Sequence, residues 1–126
     1  MFNLFRLNRK IPEFDRLKGY QFQNYYFLRI APWAWQDKFT IFVIDPNAPR
    51  FITMDPWPQK IFIAANGQLT ISDYVYAVAR EYRGKVPELL DGTIIKEIET
   101  LLKERLIEIH ECRMSPEVDN DKGKIL

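Results

Sequence analysis

The chain has 126 residues, with 18 basic and 17 acidic side chains, and 47% of its residues are hydrophobic. This length fits one domain that can bury a core without a metal or a disulfide, and the composition excludes the disordered and fibrous classes. A net charge of +1 provides no overall attraction for nucleic acid or an anionic membrane. No signal peptide opens the chain and no apolar run approaches the about 20 residues of a membrane helix, so we expect a cytoplasmic protein.

Charged and aromatic residues are unevenly distributed along the chain. Residues 1–19 carry five basic and two acidic side chains, whereas residues 91–112 carry six acidic and three basic ones. All nine Phe and all three Trp lie at or before Phe62. Aromatic residues favour strands, whereas Leu, Ala, Glu and Lys favour helices. The sequence therefore predicts an α+β fold, in which an N-terminal antiparallel sheet of about three strands packs on a C-terminal three-helix, winged-helix-like unit with a closing strand.

Apolar residues in alternation predict the strands of the first half. Residues 20–30 alternate with period two, and Pro32 ends this strand because it lacks a backbone donor. Residues 39–44 form a strand that is apolar on both faces and therefore central. Residues 51–54 follow the turn at 45–49 as a short third strand. Short connections favour antiparallel neighbours.

A helix is predicted directly after the third strand. Asp is a preferred N-cap and Pro is tolerated at the first helical position, so Asp55 and Pro56 suit the start of a helix over residues 56–65. The apolar run 61–63 leaves a fourth strand open as the alternative, because short apolar runs fit both structures.

Two more helices and a closing strand follow. Thr70, with Asp73 three residues later, predicts the capped start of a second helix, whose apolar residues recur with helical spacing. The third helix is expected to be capped at Asp91 and to run to about residue 104. Residues 106–109 alternate and predict the closing strand.

These elements divide the chain into three parts. Residues 1–19 form a basic N-terminal arm, and residues 20–112 form a single α+β domain. The Pro, Asn, Asp and Lys content beyond residue 112 predicts a flexible tail over residues 113–126.

No residue pattern points to an enzyme. His110 and Cys112 are the chain's one His and one Cys, and they lie at the end of the closing strand without a glycine-rich oxyanion turn. A structural zinc ion needs about two more ligands than this pair provides. Asp37, Asp45 and Asp55 lie in or next to turns, where Asp side chains bond the backbone. We therefore expect no catalytic residue, no metal and no cofactor.

Trp33 and Trp35 lie two residues apart in the segment between the first two strands. Exposed Trp is enriched at protein interfaces because it provides a large contact area at a small entropic cost. The alternative is that both indoles fold back over the sheet and cover its core. Both interpretations stay open, and the first makes Trp33 and Trp35 partner-binding residues.

The first ten residues mix apolar side chains with the basic side chains of Arg6, Arg9 and Lys10. Such an arm suits docking on its own domain or on a neighbouring subunit of a homo-oligomer, and it is short for a membrane-binding helix. The alternative function is that of a nucleic-acid-binding winged-helix regulator that uses this basic arm. We do not expect DNA reading by the third helix, because its neighbourhood is acidic.

Residues 67–75 read Gly-Gln-Leu-Thr-Ile-Ser-Asp-Tyr-Val, after an apolar strand, a Pro-bearing turn and a short helix. This order over residues 39–109 resembles the PqqD-type winged-helix modules, although Arg105 replaces the Gly that usually follows their last helix. Those modules bind a leader peptide as an added β-strand, in a groove between a sheet edge and the third helix. The resemblance implies a protein or peptide partner that contacts the edge residues Phe51, Ile52, Thr53 and Met54 and, on the third helix, Ile95, Glu99 and Leu102.

The physics of an edge strand supports this interpretation independently of the resemblance. A short strand at the edge of a sheet has unpaired N–H and C=O groups, which an extended peptide can satisfy. The sequence therefore predicts a non-enzymatic module that captures an extended partner segment along a sheet edge.

Overall fold

Two β-sheets and five helices are present in the residues that the computed structural model describes, 11–48 and 50–125. The strands are β1 (Tyr26–Arg29), β2 (Trp33–Trp35), β3 (Ile41–Ile44), β4 (Phe51–Thr53), β5 (Asn66–Thr70), β6 (Ile107–His110) and β7 (Lys124–Ile125). The helices are α1 (Asp15–Lys18), α2 (Pro56–Ala64), α3 (Ile71–Glu81), α4 (Leu90–Lys103) and α5 (Val118–Asp121). The α+β class is confirmed, and the winged-helix arrangement stays a prediction. Residues 1–10 of the predicted basic arm lie outside the described residues.

The strands form two sheets instead of the expected single one. The first sheet has the order β5-β1-β6 and is antiparallel throughout. The second has the order β4-β3-β2-β7, in which only β7 pairs in parallel. The long strand predicted over residues 20–30 is wrong in its first half, where backbone bonds such as that from Tyr25 N–H to Phe22 C=O, at 3.0 Å, make turns.

The chain crosses from the first sheet to the second between Ile30 and Pro32. The N–H of Ile30 donates to the carbonyl oxygen of Leu106, just before β6, at 3.0 Å. Two residues later, the carbonyl oxygen of Pro32 accepts the N–H of Ile44, at the end of β3, at 2.8 Å. Pro32 has no N–H of its own to donate, which suits a residue that ends one ladder and begins another.

The second-half helices begin and end largely where the sequence predicts. α2 is a helix, so the alternative of a fourth strand over residues 61–63 is wrong. At the start of α3 the Thr70 hydroxyl accepts the N–H of Asp73 at 3.0 Å, and the Asp73 carboxylate accepts the N–H of Thr70 at 3.3 Å. This reciprocal pair satisfies two donors that the helix itself leaves free, and it confirms the predicted capping box.

The sequence predicts Asp91 as the N-cap of the third helix, which is α4, but Asp91 has a different role. It lies inside the first turn of α4 and is buried, and its carboxylate accepts the N–H of Leu17 at 2.9 Å. The carboxylate therefore bonds the backbone of α1 instead of its own helix. This contact fixes α1 against the start of α4.

The end of α4 is a Schellman motif. The N–H of Arg105 donates to the carbonyl oxygen of Leu102, and the N–H of Leu106 donates to that of Leu101, both at 3.0 Å. Leu101 and Leu106 are buried and supply the apolar part of this motif. Arg105 has a φ of 59°, in the left-handed region that glycine adopts without cost.

One hydrophobic cluster joins both sheets to the helices. Phe27 of β1, Trp33 of β2 and Val43 of β3 belong to it, together with Phe62 of α2 and Ile94 of α4. The rings of Trp33 and Phe62 meet edge-on with 6.1 Å between their centroids. The core therefore lies between the two sheets and α2 to α4. The face of β3 and β4 that points away from the core lies outside it, and we call it the outer face.

Residues 118–125, here called the C-terminal strap, are built into the fold, which corrects the expected flexible tail. They contain α5 and β7, and β7 covers the free side of β2. The Nη2 of buried Arg29 donates to the carbonyl oxygen of Asp121 at 2.7 Å. Gly123 packs so closely on the Trp33 ring that an added Cβ would lie 2.7 Å from it.

Candidate functional site

The strand β4 borders the second sheet on the side opposite the C-terminal strap. Within the described residues β4 pairs with β3 only, so its other side is open. Phe51 has 70% of its surface exposed, and Thr53 is also exposed. We call residues 51–53 the β4 edge. It coincides with most of the edge segment that the sequence predicts.

The register shows which backbone groups of the β4 edge face outward. Antiparallel strands alternate between residue pairs that exchange both hydrogen bonds and pairs that exchange none. Ile44 donates its N–H away from β4, to Pro32 at 2.8 Å, so its neighbour Val43 directs its N–H and C=O toward β4. Val43 is paired with Ile52. The N–H and C=O groups of Phe51 and Thr53 therefore point away from β3, and they offer two donors and two acceptors.

A side chain closes the sheet directly beyond the β4 edge. The Oε1 of Gln59 accepts the N–H of Ile41 at 3.0 Å, and its Nε2 donates to the carbonyl oxygen of Phe39 at 2.7 Å. Gln59 thus satisfies the part of β3 that extends past the end of β4. The open stretch is limited to the β4 edge, with Met54 directly after it.

The outer face beside the β4 edge is apolar. The register pairs Ile44 with Phe51, so both side chains lie on the same face of the sheet. The rings of Phe42 and Phe51 meet edge-on with 5.0 Å between their centroids. A segment added next to β4 would place alternate side chains against this face.

Trp33 is not a surface residue. It is 4% exposed, and its indole N–H donates to the carbonyl oxygen of Asn120 in the C-terminal strap at 3.1 Å. Trp35 is half-buried and packs against Trp33, with 5.5 Å between the ring centroids. The alternative that these indoles fold back over the sheet is therefore the one that the structure shows for Trp33.

The predicted third helix is α4 of the structure. The three partner-binding residues predicted on it do not form one wall of a groove. Ile95 is fully buried in the core. Glu99 accepts a hydrogen bond from the Tyr20 hydroxyl at 2.5 Å, and burial together with this bond raises the pKa of Tyr20 above its usual range. Leu102 is half-buried and lines an open cleft together with Asn47 of the β3–β4 turn. Of the three, Leu102 is the one that lines a cleft beside this turn.

The prediction that Asp37, Asp45 and Asp55 bond the backbone of turns holds for two of the three. The Asp45 carboxylate accepts from the Arg50 guanidinium and from the N–H of Asn47, both at 2.8 Å, and these bonds lower its pKa. The Asp37 carboxylate accepts the N–H groups of Phe39 and Thr40, at 2.8 Å each, and they lower its pKa in the same way. A lowered pKa keeps both groups ionised at neutral pH, which suits a structural role.

His110 is the last residue of β6, and Cys112 follows it two residues later. The Nε2 of His110 is 2.7 Å from a carboxylate oxygen of Glu108, and Cys112 is exposed. No group of three or more His, Cys, Asp or Glu side chains with the geometry of a metal site occurs within residues 11–48 and 50–125. In the same part of the chain no helix is both long enough and apolar enough to cross a membrane.

Two residues that hold the borders of the second sheet were not predicted from the sequence. Gln59 is a polar residue inside the predicted first helix, and nothing local indicates that it bonds a strand. Arg29 is a single charged residue in the apolar run of β1, and its burial, at 4% exposure, requires acceptors elsewhere in the fold. The position of Arg29 in that run was the signal that could have predicted a buried polar contact.

No protein-family model matches the chain, and no curated protein or solved structure is significantly similar to it. The resemblance to PqqD-type modules therefore stays a prediction. The geometry of the β4 edge is the feature that points to a function.

Proposed function

We propose that this chain is a non-enzymatic binding module that captures an extended segment of a partner protein along the β4 edge. The observation that carries the proposal is the outward direction of the N–H and C=O groups of Phe51 and Thr53. Strand addition uses such groups for affinity and uses the alternating side chains for specificity. The resemblance to PqqD-type winged-helix modules, itself a prediction, leads to the same edge.

The contrast between the two borders of the second sheet supports the proposal. Proteins usually protect exposed edges with Lys or Pro, with a bulge or with a covering segment. The β2 side is covered by β7 of the C-terminal strap. The β4 edge has the sequence Phe-Ile-Thr, without a charge or a Pro, and no other described strand covers it. Within residues 11–48 and 50–125, one border of the second sheet is thus covered and the other is available.

A Pro substitution tests the edge without changing the rest of the surface. Peptides of twelve residues, selected from a random display library on the immobilised full chain, serve as the probe and are titrated calorimetrically. Thr53→Pro removes an N–H that points away from β3, a position at which a strand tolerates Pro. We expect the affinity to fall about tenfold or more, because one donor is lost and the Pro ring blocks the approach. Thr53→Val keeps the N–H, and we expect it to bind as the wild type does.

N-methylation of the selected peptide provides a second test that does not depend on how the variant folds. A peptide that adds as a strand loses affinity when every second N–H is methylated and tolerates methylation at the positions between. Unchanged binding by Thr53→Pro together with a uniform methylation profile would contradict the proposal. Recovery of no binding peptide, or a β4-to-β4 dimer detected by sedimentation, would also contradict it, since the partner would then be absent or a second copy of this chain.

A further inference from the structure

A cavity of about 380 Å³ opens at the end of the β4 edge. Met54, which follows Thr53 directly, lines it together with Phe39, two residues before β3, and with Ile63 of α2. Phe39 has 81% of its surface exposed, and its backbone is bonded by the side chains of Gln59 and Asp37, so its ring forms an apolar rim. A chain that runs along β4 past Thr53 reaches this cavity next. We call it the strand-end cavity.

A second cavity, of about 290 Å³, is separated from the strand-end cavity by the exposed side of α2. Its walls include Trp57 of α2, Val78 of α3 and Tyr82, which follows α3. Lys60 and Glu81 also line it and form an ion pair with 2.5 Å between Nζ and Oε1. We call it the helix cavity. Its aromatic and aliphatic walls suit an apolar side chain.

The two cavities are neighbours. Pro56 and Lys60 line both of them, and these residues lie one turn apart on the same side of α2. A single path therefore runs from the β4 edge over the strand-end cavity, across Pro56 and the stem of Lys60, and into the helix cavity. The side of α2 that packs into the core, with Ile61 and Phe62, faces the other way.

We propose that the captured segment continues past the β4 edge and across α2, and that it places one uncharged apolar side chain in each cavity. The inference rests on the proposed function, because the β4 edge sets the direction in which the segment runs. The partner is thus an extended segment with an edge-pairing part followed by two apolar anchors. Continuity with the β4 edge is what assigns the same occupant to both cavities.

The charges around the cavities favour uncharged anchors. Lys60 and Glu81 neutralise each other, so the pair carries no net charge that would favour an anchor of either sign. A charged side chain in the helix cavity would lose water against Trp57 and Val78 without gaining a partner there. Burial of an apolar side chain is expected to raise the affinity by about tenfold or more for each anchor.

Fluorine NMR of the full chain that carries 5-fluorotryptophan tests this path with the selected peptides as the probe. The Trp57→Phe variant assigns the Trp57 signal. We expect a peptide to shift the Trp57 signal and to leave the signal of Trp33, which is covered by the C-terminal strap, in place. We also expect replacement of either anchor in the peptide by Asp to weaken binding about tenfold or more, and the loss of the second anchor to abolish the Trp57 shift.

The outcomes separate this inference from the proposed function. If Thr53→Pro weakens binding but the peptide leaves the Trp57 signal unmoved, the β4 edge binds the partner and the path across α2 is refuted. If the Trp57 signal shifts while Thr53→Pro binds like the wild type and the methylation profile is uniform, the helix cavity is a site unconnected with β4, and both proposals fail. Equal binding by the Asp-substituted peptides would refute the apolar anchors.

Discussion

Arg29 and Trp33 donate to one and the same acceptor. The Nε of Arg29 and the indole N–H of Trp33 both bond the carbonyl oxygen of Asn120, at 2.7 and 3.1 Å. The guanidinium also lies over the Trp33 ring, with 5.5 Å between Cζ and the ring centroid. The first sheet and the second sheet therefore hold the C-terminal strap jointly, and they do so through a backbone atom.

Arg29→Met should release the strap and lower the free energy of unfolding by about 3 kcal/mol, because several carbonyl groups lose a charged donor. The measurement is urea unfolding, with hydrogen exchange at Gly123 and Lys124 as the local readout. Asp121→Asn is the matched control, since it removes only an ion pair of 3.8 Å whose carboxylate side chain is 53% exposed. We expect it to cost less than about 0.5 kcal/mol. A similar loss for both variants would refute the role of the carbonyl contacts.

Gln59→Leu removes both bonds that close β3 beyond β4. The partly buried N–H of Ile41 then has no acceptor, and we expect a loss of about 1–3 kcal/mol in urea unfolding. Gln59→Glu keeps an acceptor for Ile41 and loses only the donor to the exposed carbonyl of Phe39, so it should lose clearly less. Equal losses for the two variants would show that the bond to Ile41 carries no stability.

The sequence predicts local structure better than it predicts long-range contacts. Thr70 and Asp73 lie three residues apart, so their spacing alone indicates the capping box. The bonds that hold the strap join residues 87 and 91 positions apart. Their acceptor is a carbonyl group that every residue has, and for that reason composition predicted a loose tail where the structure has α5 and β7.

Arg105→Gly should stabilise the protein. Arg105 has a φ of 59°, a conformation that costs a residue with a side chain about 1 kcal/mol and that glycine adopts freely. We expect a gain of about 1 kcal/mol in the free energy of unfolding, partly reduced by the greater freedom of glycine in the unfolded chain. Arg105→Ala keeps the strain and should leave stability unchanged. A loss of stability on Arg105→Gly would mean that the arginine side chain makes a compensating contact.

Two buried tyrosines make stability depend on alkaline pH. Burial raises the pKa of Tyr74 and, with the bond to Glu99, that of Tyr20, both from an ordinary value of 10.0. A raised pKa means that the folded state keeps a proton that the unfolded state loses. The stabilising effect is thus complete below about pH 10 and declines as the pH rises further, by up to about 1.4 kcal/mol per pH unit for each tyrosine.

Substitution by Phe separates the two tyrosines. Tyr20→Phe and Tyr74→Phe should each flatten the alkaline decline in urea unfolding. At pH 7 they should differ, because the Tyr74 hydroxyl is buried without a hydrogen-bond partner among the described residues, whereas Tyr20 bonds Glu99. We expect Tyr74→Phe to be neutral or stabilising and Tyr20→Phe to cost about 1 kcal/mol. An unchanged alkaline slope in both variants would refute this origin of the pH dependence.

The candidate site was predictable in part. The short strand after the turn at 45–49 follows from its β-branched and aromatic residues, and the structure places β4 at a sheet border. The expected wall on the third helix was wrong for Ile95, because helical periodicity alone does not show which side of an amphipathic helix faces the core. Gln59 and the strand-end cavity depend on how α2 packs against β3, and the helix cavity depends on how α2 packs against α3, which no local pattern indicates.

Amide hydrogen exchange at Phe51, Ile52 and Thr53 tests the central claim most directly. In the free protein we expect fast exchange at Phe51 and Thr53, whose N–H groups face outward, and slow exchange at Ile52, which is bonded to Val43. A selected peptide should slow Phe51 and Thr53 by about tenfold or more and leave Ile52 unchanged. Protection of Phe51 and Thr53 in the free protein, or unchanged exchange there while the peptide is bound, would contradict the account.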